Sequence, residues 1–140
     1  MTTKQGANAS VRIRFNECDP TGFAFNGNYF TWMQEATSEY FRQADVDLRK
    51  LAYSSQTFMA VHLSCDYKRP IAYEDVIEVR SRLDKLGESS LALQYEIFKG
   101  EELMAVGKSI HVFLNIKTKE KASIPEDMRK KLQLVTGEQK

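Results

Sequence analysis

The sequence predicts an α+β fold in which an antiparallel five-stranded sheet wraps around one long central helix. Three observations carry that prediction. A short run with period-two alternation precedes one strongly amphipathic helical stretch, and four further strand-like runs follow it. The later runs are joined by short turn sequences, which suits antiparallel pairing. A single helix cannot cover both faces of so large a sheet, so the compact arrangement places it inside the curl of the strands.

The elements can be justified in chain order. Residues 1–10, "MTTKQGANAS", lack an apolar h-region; they read as a disordered lead-in, with 11–140 as one domain. Residues 11–16, "VRIRFN", alternate apolar and polar like a half-buried strand. After a loop, Tyr29, Phe30, Trp32, Met33, Ala36, Thr37, Tyr40, Phe41 and Ala44 recur at helical spacing. Gln34, Glu35, Ser38, Glu39, Arg42 and Gln43 occupy the other face, and Asn26 or Asn28 is the expected cap. A loop or short helix spans 45–55. Period two then returns: Met59, Val61, Leu63, Cys65 and Tyr67 alternate with polar residues up to Pro70. Runs at 75–86, 89–99 and 103–117 follow, broken by "KLGESS" and by the hairpin turn "KGEE". The stretch "SIPEDMRKKLQLV" reads as a closing helix with Pro125 near its first position. The outer sheet face and an edge strand remain to be covered, which predicts a homodimer.

Composition bounds the function classes. At 140 residues the chain can bury a substantial core without staples. A formal net charge of +1 is the wrong field for a general nucleic-acid binder. No apolar run approaches the roughly 18 residues of a membrane span. Cys18 and Cys65 are too few for a disulfide framework, so reduced thiols and a cytoplasmic location are expected.

The chemically loaded stretch is "CDPTGFAFNGNY", residues 18–29, just ahead of the long helix. Asp-Pro commonly opens a turn, so Asp19 could simply bond nearby amides. Alternatively, it is a carboxylate held near the positive end of a helix, where free N–H groups can receive an oxyanion. Gly22 and Gly27 would let backbone approach a ligand, and Phe23 and Phe25 could wall an apolar slot. Glu35, on the polar helix face, is either solvated or a second acid facing a partner subunit. His62 and Cys65 are three apart on a strand and point to opposite faces, so no metal site is expected. Cys18 is expected to be buried and inert, and His111 a packed or surface histidine. Trp32 belongs to the core before it belongs to a pocket. Lys85, Ser89 and Ser90 form either a solvated turn or an anion contact.

These residues carry a resemblance. The segment "RIRFNECDPTGFAFNGNYFTWMQEATSEYF" resembles the start of the hotdog-fold acyl-CoA thioesterases, the 4-hydroxybenzoyl-CoA thioesterase group. Its pattern is a strand, Asp-x-x-Gly, apolar residues, Asn-Tyr and a helix. The segment "CDYKRPIAYEDVIEV" resembles the next part of that family, Tyr-Lys/Arg-Arg-Pro before an acidic turn and strand. Together they cover roughly residues 10–118. The resemblance implies a dimer or tetramer with acyl-CoA sites at the subunit interface and no cofactor. It implies Asp19 as the catalytic carboxylate, the Asn26 N–H as oxyanion donor, and Asn28 and Tyr29 as pocket residues. Lys85–Ser90 lies where relatives hold the coenzyme A nucleotide. Phe23, Phe25, Trp32 and Phe58 are the side chains an acyl group could meet. This chain departs from many relatives in having Asn26-Gly27 where they have His or Tyr. A backbone donor survives that change.

The implied chemistry suits so sparse an inventory. A thiol leaves with a pKa of about 8.5, so hydrolysis needs an attacking group and an oxyanion site rather than a triad or metal. Asp19 could attack the carbonyl or activate water. The alternative within the same fold is a non-catalytic acyl-CoA binding or sensing domain. A hydratase would need an Asp/His pair near the helix start, and no histidine precedes residue 62.

Overall fold

The computed structural model describes residues 6–135. Strand β1 (Gly6–Arg12) begins inside the stretch expected to be disordered, and residues 1–5 of that stretch lie outside the described residues. The correction has a physical cause. Residues 6–10 are small and carry little apolar signal, yet Ala7 is fully buried and the strand pairs with β3 from Gly6↔Arg82 to Arg12↔Val76. The expected strand over 11–16 instead ends at Arg12, because the Glu17 side chain accepts from Arg14 N and a single 3-10 turn (Phe15–Glu17) forms.

The long helix is α1 (Asn28–Gln43), and Tyr29, Trp32, Met33, Ala36, Tyr40 and Phe41 form its buried stripe. A short α2 (Leu48–Ala52), capped by Asp47, leads to β2 (Gln56–Tyr67). Strands β3 (Val76–Leu86), β4 (Ser90–Lys99) and β5 (Glu102–Asn115) then form a meander, with Lys99↔Glu102 closing the expected hairpin. Every pairing is antiparallel, and the strand order is β1-β3-β4-β5-β2. Strand β2 is therefore not the first arm of the meander. It lies at the far edge against β5, and the link through Pro70 crosses the end of the sheet, with Lys68 N and Arg69 N both donating to Met104 O.

Helix α1 leans on β1 and β3, with fewer approaches to β2. Its seat on β5 requires Gly107, where a Cβ would stand 2.6 Å from Met33 Sδ and 3.0 Å from Ser64 O. The far end of the core is closed by α3 (Glu126–Gln133), whose N-cap is Pro125. The Tyr40 hydroxyl donates to Leu132 O at 2.7 Å. The outer sheet face is polar: Arg82 donates to Gln94, Gln94 donates to Asp84, and Lys108 lies near Asp84. Edge strand β2 differs, exposing 46% of Met59, 57% of Val61 and 48% of Leu63.

Candidate functional site

The loop between β1 and α1 is folded back on itself. Cys18 and Ala24 form an isolated bridge, Asp19 N donates to Phe23 O, and Gly22 N donates to Asp19 O. The turn needs Gly22, whose φ of +87° is left-handed. Ala24 N donates to Ile71 O, and Phe23 bridges Ala72, so the loop is also sewn to the link after β2.

Asp19 is partly exposed, and its Oδ1 accepts from both the Thr21 amide (2.9 Å) and the Thr21 hydroxyl. The Thr21 hydroxyl, and then the Thr21 amide, hold its carboxyl below the usual value. The turn-forming bonds of the plain reading are thus present. They occupy Oδ1, and the only other bond to the carboxyl among the described residues is a weaker one from Asp19's own amide.

The helix entry differs from the expected capped one. Its N-cap is Gly27, no side chain caps it, and its first turn holds no acid. The Asn28 side chain reaches back instead, donating to Glu17 O at 2.8 Å. The Asn26 carbonyl accepts from the Tyr67 hydroxyl at 2.9 Å. Among the described residues the N–H groups of Asn26 and Gly27 have no partner. Two amides therefore stand free at the positive end of a 16-residue helix.

The other expected site residues divide. Phe23 and Phe25 flank the loop and are 44% and 52% exposed, large rings in solvent in the isolated chain. Tyr29, expected to shape a pocket, is 3% exposed and packs edge-on against Tyr67 at 4.6 Å, so it is core. Phe58 stacks with Phe41 and Phe113 and lines a cleft described below. Lys85, Ser89 and Ser90 lie at the Leu86 end of β3, whereas the Asp19 loop joins the Val76 end, so one chain does not bring them together. Glu88 sits within that turn, with its carboxylate accepting from Ser123. Glu35 and His62 are exposed. Cys18 and Cys65 are unpaired thiols, and burial pushes Cys65 up to about 11. Among the described residues no group of three or more His, Cys, Asp or Glu could hold a metal ion.

One buried acid beside this loop went unnoticed in the sequence. Glu17 is 6% exposed, and its carboxylate accepts from Arg14 N (2.7 Å), Arg14 Nη2 (3.1 Å) and Trp32 Nε1 (3.0 Å). Burial alone would push this carboxyl up. The bonds from Arg14 and Trp32 outweigh it and hold the group below its usual value. Its carbonyl also accepts from Phe25 N, so Glu17 ties the loop to the helix.

A cleft of about 230 Å³ opens between α1 and the β2–β5 side of the sheet. Phe30, Phe41 and Phe58 wall it, and Thr37, Tyr95 and His111 supply polar atoms.

A family model described as the thioesterase-like superfamily matches residues 13–132. An Aquifex aeolicus protein that carries a provisional esterase name is 30% identical over 117 residues, covering 84% of this chain and 90% of its own. A 1,4-dihydroxy-2-naphthoyl-CoA hydrolase from Synechococcus elongatus is 24% identical over 124 residues, covering 87% and 91%. Among solved structures, a 1,4-dihydroxy-2-naphthoyl-CoA thioesterase from Synechocystis superposes with a TM-score of 0.86 at 17% identity, covering 92% of this chain and 96% of that one. That superposition shows a shared fold.

Proposed function

The chain belongs to the thioesterase-like superfamily, and from that premise we propose that it hydrolyses an acyl-CoA thioester to a carboxylic acid and coenzyme A, with Asp19 as the attacking group or general base. The observation that carries this reading is that one folded-back loop holds both a carboxylate bonded through Oδ1 and, at the entry of α1, two unpartnered amides. The relative named as a 1,4-dihydroxy-2-naphthoyl-CoA hydrolase supports the substrate class.

The chemistry follows from the parts. Thr21 fixes Oδ1 and keeps the carboxylate ionised, leaving Oδ2 for the thioester carbonyl or for a water beside it. As the carbonyl carbon becomes tetrahedral, its oxygen gains charge, and the Asn26 N–H at the helix entry is the donor assigned to it. One such donor is typically worth about 10²–10³ in rate. Collapse expels the coenzyme A thiolate, which needs little proton assistance because a thiol's pKa is about 8.5. Direct attack by Asp19 would leave a mixed anhydride for water to cleave; base catalysis would form the acid in one step.

The site requires a second copy of the chain. Asp19 and the rings of Phe23 and Phe25 are too exposed in one copy to exclude water. Strand β2 supplies the junction: a 12-residue edge with Met59, Val61 and Leu63 uncovered. Pairing β2 with β2 of a second copy closes both edges with one contact. The opposite edge is shorter and Val135 O already accepts from Gly6 N there.

The test is thiol release from a panel of aryl and aliphatic acyl-CoA substrates, followed with a chromogenic thiol reagent. Hydrolysis of at least one class is expected. Saturable binding of every substrate with no thiol released would establish a binding domain instead.

A further inference from the structure

The peptide plane between Asn26 and Gly27 is held from outside its own loop. Tyr67, the last residue of β2, donates its hydroxyl hydrogen to Asn26 O at 2.9 Å, across 41 positions of sequence. The other bonds around the helix entry are local: Phe25 N and Asn28 Nδ2 donate to Glu17 O, and Asn28 N donates to Phe25 O. Tyr67 brings the sheet to this place. Its backbone pairs with Ala105, the following amide donates to Met104 O, and its ring stands edge-on to buried Tyr29 at 4.6 Å. The hydroxyl is therefore in position before it bonds, and little side-chain entropy is lost in making the bond.

What that bond orients follows from covalent geometry. A trans peptide unit is planar, so the C=O of one residue and the N–H of the next point in opposite directions. Fixing Asn26 O therefore fixes the Gly27 N–H. The same rule ties the Asn26 N–H to Phe25 O, which accepts from Asn28 N at 3.0 Å. Both carbonyls thus face into the first turn of α1, and both N–H groups face out of it. The two planes are not held alike. From the helix, Asn26 O receives only a bond from Tyr29 N at 3.4 Å, longer than the roughly 2.7–3.2 Å of a good one. The Tyr67 bond, at 2.9 Å, is the stronger hold.

We infer that Tyr67 is a positioning residue: its hydroxyl aims the Gly27 N–H out of the helix entry beside the Asn26 N–H, so that a thioester oxygen bound there meets two donors instead of one. Tyr67 itself touches no reacting atom. It acts through the peptide plane, and Gly27 is the donor it serves. A water molecule donating to Asn26 O in its stead is anchored to nothing, so the plane can rock while the loop and the helix keep their places. Such rocking matters because a donor stabilises an oxyanion only when it is aimed in advance. The inference rests on the thioesterase reading for the oxygen that is bound, but the aim of the Gly27 N–H does not depend on that reading.

Two measurements on Tyr67→Phe test it. The variant loses the hydroxyl and keeps the ring against Tyr29, so it folds. In ¹⁵N-labelled parent and variant, residual ¹H–¹⁵N dipolar couplings in a weakly aligning medium read the direction of each N–H bond. The Gly27 coupling is expected to change, while those of Asn26 and of α1 beyond its first turn stay as in the parent. An unchanged Gly27 coupling, or a change spread over the whole loop, overturns the inference even if no acyl-CoA is ever turned over. For the active enzyme, kcat and KM are measured on the acyl-CoA that the parent cleaves fastest. The variant's kcat should fall about tenfold, part of the roughly 10²–10³ that a whole donor is worth. KM should hold still, because the lost interaction belongs to the transition state. An undiminished kcat, or a loss confined to KM, contradicts it.

Discussion

Replacing Glu17 with Gln asks whether a buried charge holds the loop that presents Asp19. The carboxylate satisfies three donors, the Arg14 amide at 2.7 Å, Arg14 Nη2 at 3.1 Å and Trp32 Nε1 at 3.0 Å. Glutamine keeps one acceptor oxygen and turns an NH₂ group toward the donors that shared the other. Demoting a charged bond to a neutral one costs about 1 kcal/mol, and leaving the buried Trp32 N–H unpaired costs about 1–3 kcal/mol. Arg14 is mostly exposed and regains water, so it adds little. The sum is about 2–4 kcal/mol, or roughly 6–12 °C in Tm for a domain of this size. Circular dichroism melts at a series of pH values supply the check, and the sign is fixed. Because the folded-state pKa of Glu17 is lowered, its stabilisation is complete above the unfolded value of about 4.3 and fades as pH falls through the folded value. The gap between parent and Glu17→Gln should therefore be full at pH 7 and close below about pH 4. A variant melting within about 2 °C of the parent at pH 7, on the scale above, would refute the anchoring role. So would a gap indifferent to acid.

Three further outcomes are expected. Thr21→Val removes the hydroxyl that lowers the Asp19 carboxyl, so the acid limb of the kcat/KM profile should move to higher pH; an unmoved limb would exclude Asp19 as the titrating group. Tyr95→Phe deletes a buried hydroxyl that contacts both Thr37 Oγ1 and Ser109 Oγ, costing about 1–3 kcal/mol in a denaturant melt; a neutral variant would show that these contacts contribute nothing to stability. The double change Val61→Lys with Leu63→Lys sets like charges along the exposed β2 edge, and sedimentation should show dimer for the parent and monomer for the variant. A parent that sediments as a monomer at micromolar concentration would contradict the shared-site account.

Much of the fold was legible because periodicity is a local property. The stripe from Tyr29 to Phe41 identified α1, and the alternations around 75–86, 89–99 and 103–117 identified three strands within a residue or two of their ends. What was misread depended on partners remote in sequence. Residues 6–10 form a strand only because β3 supplies their hydrogen bonds, and β2 belongs at the far edge because β5 claims it. Within the site, Asp19 stood out as a lone acid in an aromatic loop ahead of a helix. Glu17, one residue before Cys18, gave no such signal, since its meaning comes from Trp32 fifteen positions away. The burial of Tyr29 was hidden for a related reason: nothing local shows that Tyr67 packs over it. Ser109 and His111 share a strand face by period two, but their link to Thr37 and Tyr95 needed the packed sheet and helix.

The most direct test of the account is the Asp19→Asn variant in the thiol-release assay. Asparagine retains an oxygen for the Thr21 amide and hydroxyl, so the loop stays folded and the melting temperature should stay within about 2 °C of the parent. Thiol release should nonetheless fall roughly 10³-fold, in the range expected for losing a positioned acid–base or nucleophilic group. A correctly folded Asp19→Asn protein that cleaves acyl-CoA at the parent's rate would contradict the assignment of the reaction to this carboxylate.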